Sequence, residues 1–217
     1  MSISIPAMTL TKQPHFKTPP IPPEFRRISA RGYLNIFDLN LGNQNLWGTE
    51  TMLGDWDGEY LLVAKDFYPR AYIELQREAG ERWPYRHHPG IMTNTKLQNI
   101  LVRDFKAARL DARGGIDNRA CNFLYISACF LLRTDGQVSA PLPQGGLEAS
   151  APVVQWTIGN MLNLTTVVAM GDDAEVALSD DLIAGVIRQR KLRYRKVPHP
   201  SRGSLADRNL KWSLVFS

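Results

Sequence analysis

Hydrophobic and polar positions along the chain fall into two kinds of pattern. "EYLLVAKD", "FLYISACFLL" and "TTVVAMG" are nearly continuously apolar, and "LRYRKVP" is a shorter run carrying more charge. Continuous apolar runs of this length predict strands covered on both faces, so these four segments are read as strands. Between them apolar residues recur at helical spacing. "TKLQNILVRDFKAARL" places Leu97, Ile100, Leu101 and Phe105 on one face, preceded by Thr93, Asn94 and Thr95 as capping candidates. "APVVQWTIGNML" carries Pro152 where a first helical turn accepts it, and "DAEVALSDDLIAGVIRQR" has its acids early and its bases late, as one helix dipole prefers. Strands alternating with helices predict an α/β protein: a three-layer α/β/α sandwich around a mainly parallel, four-stranded sheet.

Ahead of the first strand, "TKQPHFKTPPIPPEF" repeats proline too often for helix or central strand. Residues 1–25 are therefore expected to form a proline-rich N-terminal arm, and 26–217 a single domain. A chain of 217 residues with 44% hydrophobic content supports one substantial core. No apolar run approaches the ~20 residues of a membrane span, and the N-terminus shows no signal-peptide pattern. The expectation is a soluble intracellular protein with no membrane partner, cytoplasmic in a bacterial-type cell or nuclear in a eukaryotic one. The two cysteines, Cys121 and Cys129, lack C-x-x-C spacing, which argues for reduced core thiols rather than a disulfide or zinc site.

Charge changes the picture more by its placement than by its total of +5. Arg188, Arg190, Lys191, Arg193, Arg195 and Lys196 crowd into nine positions and lead directly into "VPHPSRGS". Such a run fits either an anionic partner or a solvated helix end, where cations complement the dipole.

In sheets of this kind ligands bind beyond the carboxyl ends of the strands. Asp66 and Tyr68 follow the first strand, Gly171 and Asp172 the third, and His199 the fourth. Each has an ordinary use alone: Asp66 as a helix cap, Tyr68 in packing, His199 in a loop. Together at the ends of the predicted strands they describe a site.

The ordered set resembles the uracil-DNA glycosylase superfamily. "AKDFYP" stands where that family has G-Q-D-P-Y-H, and "HPSRGS" where it has H-P-S-P-L-S. "TNTKLQNI" is similar to the P-P-S-L-K-N-I helix start, "NLTTVVAMGDDA" to the penultimate strand ending in W-G-S-x-A, and "FLYISACFLL" occupies the place of the L-L-L-N strand. The likeness runs from about Glu59 to Ser217. It implies that Asp66 lies under the sugar, opposing positive charge and orienting water, while His199 donates a hydrogen bond to the departing uracil. It also implies that Tyr68 excludes the thymine methyl and that Tyr85, or Trp83 beside it, stacks on the flipped base. Ser201, Arg202, Gly203 and Thr95 would grip phosphates. Lys65, where the family has Gln, would contact a phosphate, favour ionised Asp66 or lie as an ordinary surface lysine.

The chain also departs from the family pattern. Ser127 falls on the uracil-reading Asn, so either Asn122, five positions away, reads the base from an altered loop, or Ser127 and a backbone group share that reading. Gly203 falls on the wedging Leu, leaving Arg202 or Leu205 as substitutes, and Met170-Gly171-Asp172 replaces W-G-S. With these departures the resemblance implies a divergent member: a monofunctional glycosylase acting as a monomer on uracil-containing DNA through water, without metal or cofactor. The alternative is a non-catalytic relative that binds damaged or abasic DNA, motivated by the missing Asn and wedge. A generic nucleotide-binding protein is disfavoured because "DARGGIDN" has neither P-loop nor G-x-G-x-x-G spacing.

Overall fold

All four predicted strands form in the computed structural model, which describes residues 19–38, 55–66, 69–71, 96–109, 122–136, 140–202 and 205–216. In chain order the strands are β1 (Tyr33–Asn35), β2 (Tyr60–Asp66), β3 (Phe123–Cys129), β4 (Leu131–Arg133), β5 (Thr166–Met170) and β6 (Arg193–Val197). The main sheet has the order β3-β2-β5-β6, and every pairing in it is parallel. β1 and β4 form a separate antiparallel pair in which Tyr33 faces Arg133.

Strand alternation sorts the apolar side chains into two cores. Leu61, Val63, Leu124, Ile126, Val167 and Ala169 pack on one face, and Leu62, Ala64, Phe123, Tyr125, Val168 and Met170 on the other. The first face is covered by α1 (Gly146–Asn160), α2 (Asp172–Leu178) and α3 (Asp181–Gln189). The second is covered by the segment carrying Leu97, Ile100 and Leu101 and by α4 (Leu205–Ser213), which supplies Trp212. Two buried faces require strands that are apolar throughout, as β2, β3 and β5 are; this is the predicted α/β sandwich.

Local boundaries differ from the sequence expectations in ways that have physical reasons. α1 begins at Gly146, so Pro152 lies inside the helix rather than in its first turn. The neighbouring Ala151, Val153 and Val154 are all fully buried, and that burial offsets the amide bond proline cannot make. The stretch read as one helix from Asp173 to Arg190 is two, because the Asp180 carboxylate accepts from the Leu182 amide at 2.9 Å and starts a new helix. After residues 96–98 the chain widens into a π-helix over Asn99–Asp104, closed by the Phe105 amide on the Ile100 carbonyl at 3.0 Å. Phe25, the last residue of the expected arm, is buried in a short 3-10 helix, its ring edge-on to Trp156 at 5.6 Å.

The basic run also resolves into separate tasks. Arg190 donates to the carbonyls of Ile158 and Met161 at the end of α1, and Arg195 donates to Leu214 at the end of α4. Lys196 pairs with Asp172 at 2.7 Å and Glu175 at 2.6 Å. Three of the six cations thus tie helices to one another or to the sheet. Among the described residues no helix is long and apolar enough to cross a membrane.

Candidate active site at the carboxyl end of the sheet

From β2 the chain moves to β3 on one side, and from β5 to β6 on the other. Adjacent strands whose connections leave in opposite directions open a crevice beyond their carboxyl ends. Asp66 is the last residue of β2, and Gly171 follows β5 directly.

Asp66 does not stand alone. The Nε of Arg133, from β4, donates to its Oδ2 at 2.8 Å, and the two side chains are only 2% and 8% exposed. Burial pushes the Asp66 carboxyl up to about 6, with Arg133 and then Lys65 pulling against it and Asp173 adding to the rise. Lys65 is itself anchored, donating to the Ala140 carbonyl and lying 3.9 Å from Asp173. Arg133 did not emerge from the motif reading. Its signal was present: an arginine closing the apolar run "FLLR" must find a carboxylate if it is buried.

His199 lies two residues beyond β6, in a turn closed by the Arg202 amide on the His199 carbonyl at 2.8 Å. The Ser201 amide points at its Nδ1 at 3.3 Å, and the Ser201 hydroxyl lies 2.7 Å from the same nitrogen. An amide can only donate, so Nδ1 is an acceptor and the proton of the neutral ring sits on Nε2. Burial lowers the His199 pKa, Arg202 and Lys65 lower it further, and Asp173 opposes them. The ring is therefore a neutral donor at physiological pH.

Gly171 makes this placement possible. Its amide donates to the Val197 carbonyl at 3.0 Å, its φ is +96°, and a Cβ there would lie 3.1 Å from that of His199. Glycine at this position lets the end of β5 approach the histidine turn closely. Asp172, next in the chain, is neutralised by Lys196, whose hydrogen bond holds its carboxyl below the usual range. Asp66 and His199 both respond to Lys65 and Asp173, so the two groups lie within electrostatic reach of the same pair of opposite charges.

Other predicted residues are distributed differently. Ser127 is buried within β3, in register with Ala64 and two residues before the partner of Asp66. Ser201 and the exposed Arg202 flank His199. Asn122 is the correction. It precedes β3 at the amino end of the sheet, where its Oδ1 accepts from the Glu59 amide at 3.0 Å. The length of β2, about 20 Å at ~3.3 Å per residue, separates that end from Asp66, so Asn122 cannot read a base in the crevice. Tyr68, Trp83, Tyr85, Thr95 and Gly203 lie outside the described residues. Among the described residues no cluster of three His, Cys, Asp or Glu side chains is placed to hold a metal ion.

Compared with family models and with curated proteins, the chain matches none.

Proposed function

We propose that the protein is a monofunctional uracil-DNA glycosylase, hydrolysing the N-glycosidic bond of deoxyuridine in DNA and leaving an abasic site. The observation that carries this reading is that a buried carboxylate, Asp66, and a neutral Nε2–H donor, His199, both stand at the carboxyl end of the sheet within reach of the charges on Lys65 and Asp173. Breaking the bond from base to sugar develops positive charge on the deoxyribose and negative charge on the uracil. Asp66 opposes the first and takes a proton from the attacking water; His199 donates to the uracil oxygen as the anion forms. A neutral imidazole suits that task, since the donor need not release its own proton to the base.

The target nucleotide must leave the duplex to reach such a crevice. Tyr68, two positions after Asp66, is the methyl filter in this reading, and Tyr85 or Trp83 the stacking face. Ser201, Arg202, Gly203 and Thr95 position the backbone, which makes binding to uracil-containing DNA fall steeply with salt. The enzyme acts as an intracellular monomer and draws only on its own side chains and water.

The test is alkali-resolved cleavage of a labelled single-uracil oligonucleotide beside its thymine counterpart. Cleavage at uracil alone is expected; equal cleavage of both, or of neither, contradicts the proposal. One observation favours a second reading, a non-catalytic binder of damaged or abasic DNA: Ser127 stands at the position of the family's base-reading amide, and Asn122 lies at the far end of the sheet. Excess substrate separates the two, because a binder produces no turnover.

A further inference from the structure

The antiparallel pair of β1 and β4 lies outside the main sheet, and one of its residues reaches into the site. We infer that Arg133 is the positioning residue for Asp66: its Nε fixes Oδ2 and leaves Oδ1 as the oxygen that meets water. The inference rests on the glycosylase reading of the same crevice and names a residue which that reading does not require.

The surroundings of Arg133 are built as a bracket. Tyr33 opposes it in register across the pair, and the Thr134 amide donates to the Gly32 carbonyl at 3.1 Å. The Tyr33 hydroxyl donates to the Pro143 carbonyl at 2.9 Å, and the ring covers Gly146, where any Cβ would collide with it. Just before β4, the Phe130 amide donates to the Ser150 hydroxyl at 2.8 Å, fixing the chain to α1. A three-residue strand held at these points delivers a guanidinium to one carboxylate oxygen. Among the described residues no other donor is recorded on Asp66.

The groups facing Asp66 show what the arginine adds. They are Arg133 on β4, Lys65 on β2, Asp173 on α2, Tyr33 on β1, and Tyr125 and Cys129 on β3; His199 shares Lys65 and Asp173 with it. Burial raises both tyrosines and the thiol, which keeps all three neutral at physiological pH. That leaves two cations against Asp173, and Lys65 already serves Ala140 and Asp173. Arg133 is the cation in direct contact with the carboxylate. A planar guanidinium holds direction as well as charge, which an ammonium does less well.

The experiment combines Arg133→Gln and Arg133→Lys with two readouts. One is the titration of the Asp66 carboxyl by carbon NMR, assigned by its loss in Asp66→Asn. The other is the pH profile of uracil release. Arg133→Gln is expected to move the Asp66 titration upward by about 1 to 3 pH units, and the acid limb of kcat with it, so activity lost at pH 7 returns at pH 9. Arg133→Lys keeps the titration near its original position while kcat falls about tenfold or more, because the carboxylate is no longer fixed in direction. An unmoved titration in Arg133→Gln, with loss of thermal stability alone, overturns the inference. Should that variant not fold, Arg133→Lys decides: full kcat contradicts the positioning role, and a lowered kcat with unmoved KM supports it. The NMR titration needs no DNA, so an inactive wild type would remove the glycosylase reading while the hold of Arg133 on Asp66 is still measured.

Discussion

The two ends of the parallel sheet are both rich in polar residues, yet they use them in opposite ways. At the amino end, polar groups close loops. Asn122 accepts from Glu59, Asp55 accepts from the Asp57 amide at 2.9 Å, Asn163 donates to the Asp57 carbonyl at 3.2 Å, and Thr165 donates to the Glu59 carbonyl. Each of these bonds goes to a backbone group where the strands begin, and those on Glu59 add to the backbone bonds it already makes with Asn122, Thr165 and Thr166. At the carboxyl end, charges are held against burial. Asp66 and Arg133 are enclosed together, Lys65 is tethered, and His199 is kept neutral in a turn that only a glycine at 171 admits. Loop closure needs hydrogen bonds of about 1 kcal/mol each, and of the side chains that make them here only that of Asp55 is ionisable. Buried ionisable groups with shifted pKa values mark the end where chemistry is expected.

Substitutions at the two ends should therefore separate activity from stability. The largest effect is expected for Asp66→Asn, which should lower single-turnover uracil release by about 100-fold to 1000-fold, comparable to removing one stabilising group from a transition state. Wild-type release should also depend on pH, rising about tenfold per unit as Asp66 ionises and levelling above about 6. A profile flat from pH 4 to 8 would place the working acid elsewhere. Stability should move the other way. Because the folded Asp66 carboxyl titrates at about 6 rather than its ordinary 3.8, its contribution is complete below ~4 and is lost as pH rises through 6. His199 acts with opposite sign: its lowered pKa gives stability above about 6.5 that is lost on acidification. Urea denaturation of wild type and Asp66→Asn across this range isolates the first contribution.

Gly171→Ala comes next. Its positive φ should cost about 1–3 kcal/mol, and the added methyl should displace His199, so kcat and melting temperature both fall. Gly58→Ala is its counterpart at the amino end. There a Cβ would lie 2.8 Å from the Phe123 amide nitrogen and 2.9 Å from the Asp55 carbonyl, and stability should drop by about 1–3 kcal/mol with release per folded molecule unchanged. Asn122→Ala should do least, costing about 0.5–1.5 kcal/mol and nothing in activity. Impaired release by that variant would return Asn122 to the site and undo the contrast between the ends.

The sheet was legible because burial on both faces demands continuous apolar runs, and Leu61–Val63, Leu124–Ile126 and Val167–Val168 supply them. Helix limits were less so. The Asp180 cap looks like any surface acid until a chain break is known, and Pro152 has the same sequence signature inside a helix as at its start. At the site, Asp66 and His199 could be read from their places at strand ends. The partner of Arg133 could not, because it lies 67 residues away and only β4 brings the two together. Asn122 misled for a related reason: five positions are few along the chain, but in an extended strand they cross from one end of the sheet to the other.

The most direct test is the single-turnover rate of uracil release from one labelled oligonucleotide by wild type and Asp66→Asn at pH 7.5, with folding of both verified. Release by wild type that falls at least about 100-fold in the variant is the predicted result. Equal release by the two proteins, or none by the folded wild type, would contradict the assignment of catalysis to the carboxyl end of the sheet.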